Sequence, residues 1–174
     1  MPNILEIQRV EYVKLLGVFI TSNLSWSMQV DYVLRAVSQQ FDLIKQIRSM
    51  SLNMVSMNQI SNALVLSRIQ YALPAYYGFL LQADKDRIDA LMRKAKRWAL
   101  TSLTMGIDVL AQSADSTLFS KAVQPGHCLH PLVPNKSDNR SYNLRSNHVL
   151  YNLPLIKHSG LEKSFIYRCI RYGL

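Results

Sequence analysis

Hydrophobic positions recur along this chain with two different periods. Ile4–Val10 and Val13–Ile20 predict strands, and the second, Val-Lys-Leu-Leu-Gly-Val-Phe-Ile, is almost wholly apolar, as in a strand covered on both faces. The few residues between them predict a hairpin, and Thr21-Ser22-Asn23 a loop. From about Ser27 to Arg48 the period becomes helical. Val30, Val33, Leu34, Val37, Phe41 and Ile44 form one stripe, with Asp31, Arg35, Gln39 and Asp42 off it and Ser25 as the expected N-cap.

A second helix is expected from near Asn53 until Pro74 stops it, because proline lacks the N–H and clashes with the preceding turn. Its apolar residues Ile60, Ala63, Leu64, Leu66, Ile69 and Tyr71 circle most of the helix, which predicts a central, mostly buried element. Tyr76-Tyr77-Gly78-Phe79 reads as an aromatic turn. A third helix covers about Asp84 to Leu100, with Asp84, Asp86 and Asp89 where carboxylates favour the helix dipole. On it, Ile88, Leu91, Met92, Ala95, Trp98 and Ala99 share an arc, and Arg87, Arg93, Lys94, Lys96 and Arg97 cover the remainder. A fourth helix runs from about Met105 to Val123. Past Pro125, prolines at 125, 131, 134 and 154 punctuate short extended pieces, and Leu161–Tyr172 closes as a short helix. The expected fold is mainly α: a helical bundle over 25–123, a short β-hairpin over 1–24 and an extended basic tail over 124–174.

Charge adds a partner to this picture. The chain carries 20 Lys and Arg against 11 Asp and Glu, a net charge of +9, which favours an anionic partner and nucleic acid ahead of a membrane surface. Residues 121–174 alone hold 8 basic and 2 acidic side chains, as in an arm that touches phosphate. Charge alone is equally compatible with a soluble basic domain. Cys128 and Cys169 lie far apart and no secretory signal opens the sequence, so a reducing, intracellular setting, nuclear or cytoplasmic, is expected, without a disulfide. The longest apolar run, around Tyr71–Leu81, is broken by Pro74 and Gly78 and is too short for a bilayer.

The order of motifs resembles the end portion of reverse transcriptases of non-LTR retrotransposons, jockey-like elements above all. Val13-Lys14-Leu15-Leu16-Gly17-Val18-Phe19-Ile20 followed by Asn23-Leu24-Ser25-Trp26 looks like the strand and loop that follow the palm. Ser67-Arg68-Ile69-Gln70-Tyr71-Ala72-Leu73-Pro74-Ala75-Tyr76 is similar to the next landmark, and Asp84 to Trp98 to the helix after it. Ala114–Phe119, His127–Leu132, Ser141–Ser146, Leu153–Leu155 and Ser164–Cys169 look like the closing block of such polyproteins. Thr21 stands where the family often has an acidic residue, and Tyr76 or Tyr77 where it often has Trp. The resemblance implies a primer-grip strand followed by a thumb that holds template and primer, with Lys14 and Gly17 near the primer. It implies RNA or an RNA–DNA hybrid as partner, and leaves room for a palm-containing chain as a second one.

Polymerases of this kind hold two metal ions on an Asp-Asp pair. No Asp-Asp occurs here, and by resemblance the chain would start after it, so it is expected to catalyse nothing by itself and to use no cofactor, metal or small-molecule substrate. Asp84, Asp86 and Asp89 lack the glycine and terminal glutamate of a calcium loop. His127, Cys128 and His130 are spaced too tightly for a zinc finger and read as a proline-flanked loop. The residues expected to touch nucleic acid are Lys14, Gly17, Arg93, Lys94, Lys96 and Arg97. Residue by residue, Lys14 also fits a solvated strand position, Gly17 a place of close backbone packing, and the basic helix a solvated face. The competing function is a non-catalytic helical module that binds protein through apolar surface.

Overall fold

The computed structural model describes residues 8–102, 105–136, 151–152 and 158–173. Most of Ile4–Val10, all of Ser141–Ser146 and all of Leu153–Leu155 lie outside them. The fold is mainly α with a two-stranded antiparallel hairpin near the N-terminus, as the sequence pattern predicts.

The hairpin is not placed as the pattern suggests. The run Val13–Ile20 is not one strand but contains both arms: β1 (Tyr12–Leu15) pairs with β2 (Val18–Thr21), with Leu15 opposite Val18 and Tyr12 opposite Thr21. Leu16 (φ 47°) and Gly17 (φ 84°) make the connecting turn, both left-handed. Positive φ at both central residues matches the right-handed twist of the flanking strands. Glycine adopts that conformation freely, and leucine at some cost. Nor is the run covered on both faces. Val13 and Leu15 project to the same side as their partners Ile20 and Val18, and β1 is exposed throughout. The opposite side packs on the following helix through Phe19 and Tyr32, whose ring centroids are 5.2 Å apart. At the outer edge of β2, the Phe19 N–H donates to the side chain of buried Gln29 at 2.9 Å.

Helix α1 spans Ser27–Arg48 and buries Val30, Val33, Val37, Phe41 and Ile44; Leu34 is half-buried. Each fully buried aliphatic or aromatic side chain is worth about 1.5–3 kcal/mol, so this stripe is the main anchor of the first bundle. Ser25 accepts the Ser27 N–H at 3.4 Å, and Trp26, not Ser25, occupies the cap position.

The second helical region begins at α2 (Met54–Ser61), where Asn53 is a true N-cap that accepts the Ser56 N–H at 2.8 Å. A π-helical stretch, Asn62–Leu66, follows, then α3 (Ser67–Gln70). Burial does not circle it. Met57, Ser61, Val65 and Ile69 are buried, whereas Ala63 and Tyr71 are exposed. A strict i+4 repeat drifts by about 40° per step on a regular α-helix; the wider i→i+5 turns of the π stretch unwind that drift and hold the four residues on one line. The helix stops before Pro74, as expected. Ala72 turns left-handed (φ 54°), and Pro74 sits in the first turn of α4 (Leu73–Tyr76), where its missing N–H costs nothing.

Helix α5 covers Gln82–Arg97 and α6 Ile107–Ala122. Beyond α6 come a 3₁₀ turn at His130–Leu132, a bridge between Lys136 and Tyr151, α7 (Ser159–Glu162) and α8 (Phe165–Tyr172), which ends on left-handed Gly173. The chain forms two compact units, one of residues up to Ile69 with Leu80–Thr104, the other of Gln70–Phe79 with Met105 onward. In the first, α1 packs against α5 and against Met54–Leu66. In the second, α6 packs against α4 and α8. The last helix of the tail thus belongs with α6 instead of trailing from it.

Candidate nucleic-acid interface

The predicted arcs of α5 are present. Ile88, Leu91, Met92 and Ala95 are buried, Trp98 and Ala99 half-buried, while Arg93, Lys96 and Arg97 are exposed and Lys94 is half-buried. At about 100° per residue, Lys96, Arg93, Arg97 and Lys94 fan over an arc of about 160° opposite the buried line. Lys94, Lys96 and Arg97 also lie in the last turn, where cations complement the helix dipole. None of the four forms an ion pair among the described residues.

Arg87 is different. It bonds Asp31 of α1 and, at 3.0 Å, buried Asp84, which also accepts from Ser27 Oγ at 2.9 Å. The hydrogen bond to Asp31 is the largest influence that raises its pKa. Arg87 is therefore spent on fastening α5 to α1, and Asp84, expected as a helix-start carboxylate, is a buried part of that joint.

The C-terminal end of α5 is held by α1. Ala99 turns left-handed (φ 51°), and Arg48 Nη1 donates to the Trp98 carbonyl at 2.5 Å. Lys45 Nζ lies 3.8 Å and Lys94 Nζ 4.4 Å from the centroid of the Trp98 ring, whose edge meets Phe41 at 6.0 Å between centroids. Lys45 also pairs with Asp42 at 3.1 Å. Sequence alone places Trp98 on the apolar arc of α5. It serves as a junction, and Lys45 and Arg48 beside it carry no signal in the sequence, since their i+3 spacing on α1 gives no sign of a partner on α5.

Lys14 and Gly17 occupy the hairpin. Lys14 Nζ sits 4.7 Å from the Tyr32 ring centroid and 5.0 Å from that of Phe19, so it is held by aromatic faces. Gly17 is a turn glycine. With Lys14 at Tyr32 and Lys94 at Lys45, the two groups sit about 20 Å apart along α1 at 1.5 Å per residue.

The basic excess of the tail is also partly consumed. Arg168 is 5% exposed and grips Asp115, 2% exposed, through Nε–Oδ2 at 2.7 Å and Nη2–Oδ1 at 2.8 Å. It also donates to the carbonyls of Lys163 (2.8 Å) and Pro74 (3.0 Å) and lies over the Tyr77 ring. Gly78 permits the approach: any side chain there would collide with the Lys163 carbonyl and Arg168 Nη1. Arg171 lies 3.8 Å from Glu162. Neighbouring Cys169 is fully buried, and burial pushes its thiol up to about 12.

Among the described residues, no group of three or more His, Cys, Asp or Glu is placed to hold a metal ion, and no helix is long and apolar enough to cross a membrane. His127 Nδ1 accepts the Leu129 N–H at 3.2 Å, and Cys128 is exposed. Comparison with protein-family models, curated proteins and solved structures finds no match.

Proposed function

We propose that this chain is a non-catalytic, template–primer-holding portion of a reverse transcriptase of the non-LTR retrotransposon kind, binding RNA or an RNA–DNA hybrid. The observation that carries the reading is the basic arc of Arg93, Lys94, Lys96 and Arg97, which has no carboxylate partner among the described residues while Arg87, Arg168 and Arg171 have theirs. Unneutralised cations fixed on a rigid helix are suited to a phosphate backbone, which releases its condensed counterions on binding. The order of motifs and the absence of an Asp-Asp pair support the assignment to a part that holds and does not polymerise.

The test replaces Arg93, Lys94, Lys96 and Arg97 together by Gln, which keeps helix propensity and removes charge. Binding of an RNA–DNA hybrid should weaken, and the log–log salt slope should flatten by about 0.9 for every phosphate that is no longer neutralised. Unchanged binding and slope in a folded variant would overturn this placement of the interface and shift attention to the tail from Lys121 onward.

A protein-binding module is the second reading, favoured by the aliphatic hairpin side on which Val13 and Leu15 are half-exposed or more. Salt-insensitive binding to a protein partner, with no affinity for hybrid, would select it.

A further inference from the structure

The Trp98 junction gathers more positive charge than its packing requires. Lys45 and Lys94 both place an ammonium against one indole ring, at 3.8 and 4.4 Å from its centroid. The two ammonium groups are therefore no more than about 8 Å apart, about one Debye length at physiological salt. The ring quadrupole offsets part of their repulsion, and Asp42 offsets Lys45. Lys94 has no carboxylate of its own among the described residues. Arg48 brings a third cation to the same residue through the Trp98 carbonyl.

A monoanionic phosphodiester suits this arrangement. Its two free oxygens offer one acceptor for each lysine, and it is light enough in charge to leave the ring contacts in place. We infer that Lys45 and Lys94, positioned by Trp98, form a phosphate-binding clamp that extends the nucleic-acid surface from α5 onto the last turns of α1. The inference rests on the nucleic-acid reading proposed above but adds a residue, Lys45, and a helix to it. Asp42 then competes with the phosphate for Lys45, and Trp98 lies where it must sense the occupant.

The experiment uses the full chain and a short RNA–DNA hybrid. Trp26→Phe leaves Trp98 as the sole tryptophan. Hybrid binding, followed by anisotropy of a label on the nucleic acid, should be accompanied by a change in Trp98 emission that saturates at the same concentration. Lys45→Gln should flatten the salt slope by about 0.9, the value of one neutralised phosphate. Asp42→Asn should tighten binding severalfold in the parent but not beside Lys45→Gln, a dependence that the bare loss of a negative charge would not produce. If hybrid binds and the α5 quadruple variant weakens it, yet Lys45→Gln leaves the slope unchanged and Trp98 emission does not move, the clamp is overturned and the α5 interface stands. If the unaltered chain shows no affinity for hybrid at all, both fall together.

Discussion

Arg168→Met is the most informative perturbation of the second compact unit. The guanidinium makes a bidentate contact with Asp115 and supplies donors to the carbonyls of Lys163 and Pro74, all within 3.0 Å. Methionine fills much of the volume but donates nothing, and leaves the Asp115 carboxylate at 2% exposure without its counter-ion. Removing one partner of a buried pair costs about 3–5 kcal/mol, because the uncompensated charge stays behind. That is a large share of the roughly 5–15 kcal/mol that holds a typical domain. The loss should fall on the docking of α8, since Arg168 ties that helix to α6 and to the Pro74 turn. Cys169 provides the readout. In a Cys128→Ser background it is the sole thiol, and a disulfide reagent reacts with it only when α8 lifts. Arg168→Met should speed that reaction by about two to three and a half orders of magnitude, at 1.4 kcal/mol per factor of ten. Combining it with Asp115→Leu removes the stranded charge and should recover part of the protection, leaving the cost of the two undonated carbonyls, about 1 kcal/mol or more each where shielded from water. A rate within about fivefold of the parent for Arg168→Met, or a double variant less protected than the single one, would refute the assignment of α8 docking to this pair.

Leu16→Asn should raise the melting temperature, because Leu16 is 83% exposed and left-handed while asparagine accepts that conformation readily; a drop measured by circular dichroism would count against the turn geometry. Gly17→Val at φ 84° should cost about 1–2 kcal/mol in urea unfolding, with Lys14→Gln costing less. Because burial raises the Cys169 thiol from 9.0 to about 12, the folded state keeps its proton where the unfolded chain has given it up. Stability should hold below pH 9 and decline between pH 9 and about 12, and Cys169→Ala should remove that share of the decline. No template-dependent primer extension is expected with magnesium or manganese; extension by rigorously purified protein would overturn the non-catalytic reading.

Much of the helical scaffold is legible in the residues alone. The limits of α1 and its buried line follow from apolar spacing, because a side chain's angular position on a helix depends only on its place in the sequence. The two arcs of α5 and the break before Pro74 are legible for the same reason, the latter through proline's missing donor. The hairpin is legible as a tendency but not as a register. Leu16-Gly17 is not a strong turn dipeptide, and only pairing with β2 shows that one apolar run folds back on itself. The second helix reads as apolar all round. Which side it buries is decided by the π stretch at Asn62–Leu66, whose altered winding no periodicity count anticipates. Charge is the least legible property. Arg87, Arg93, Lys14 and Arg168 are all simply cations in the sequence. Tertiary structure assigns the first to Asp31, leaves the second exposed, sets the third on Tyr32 and buries the fourth against Asp115, 53 residues away. Electrostatic roles depend on distances between segments remote in the chain, and those distances exist only once the helices have packed.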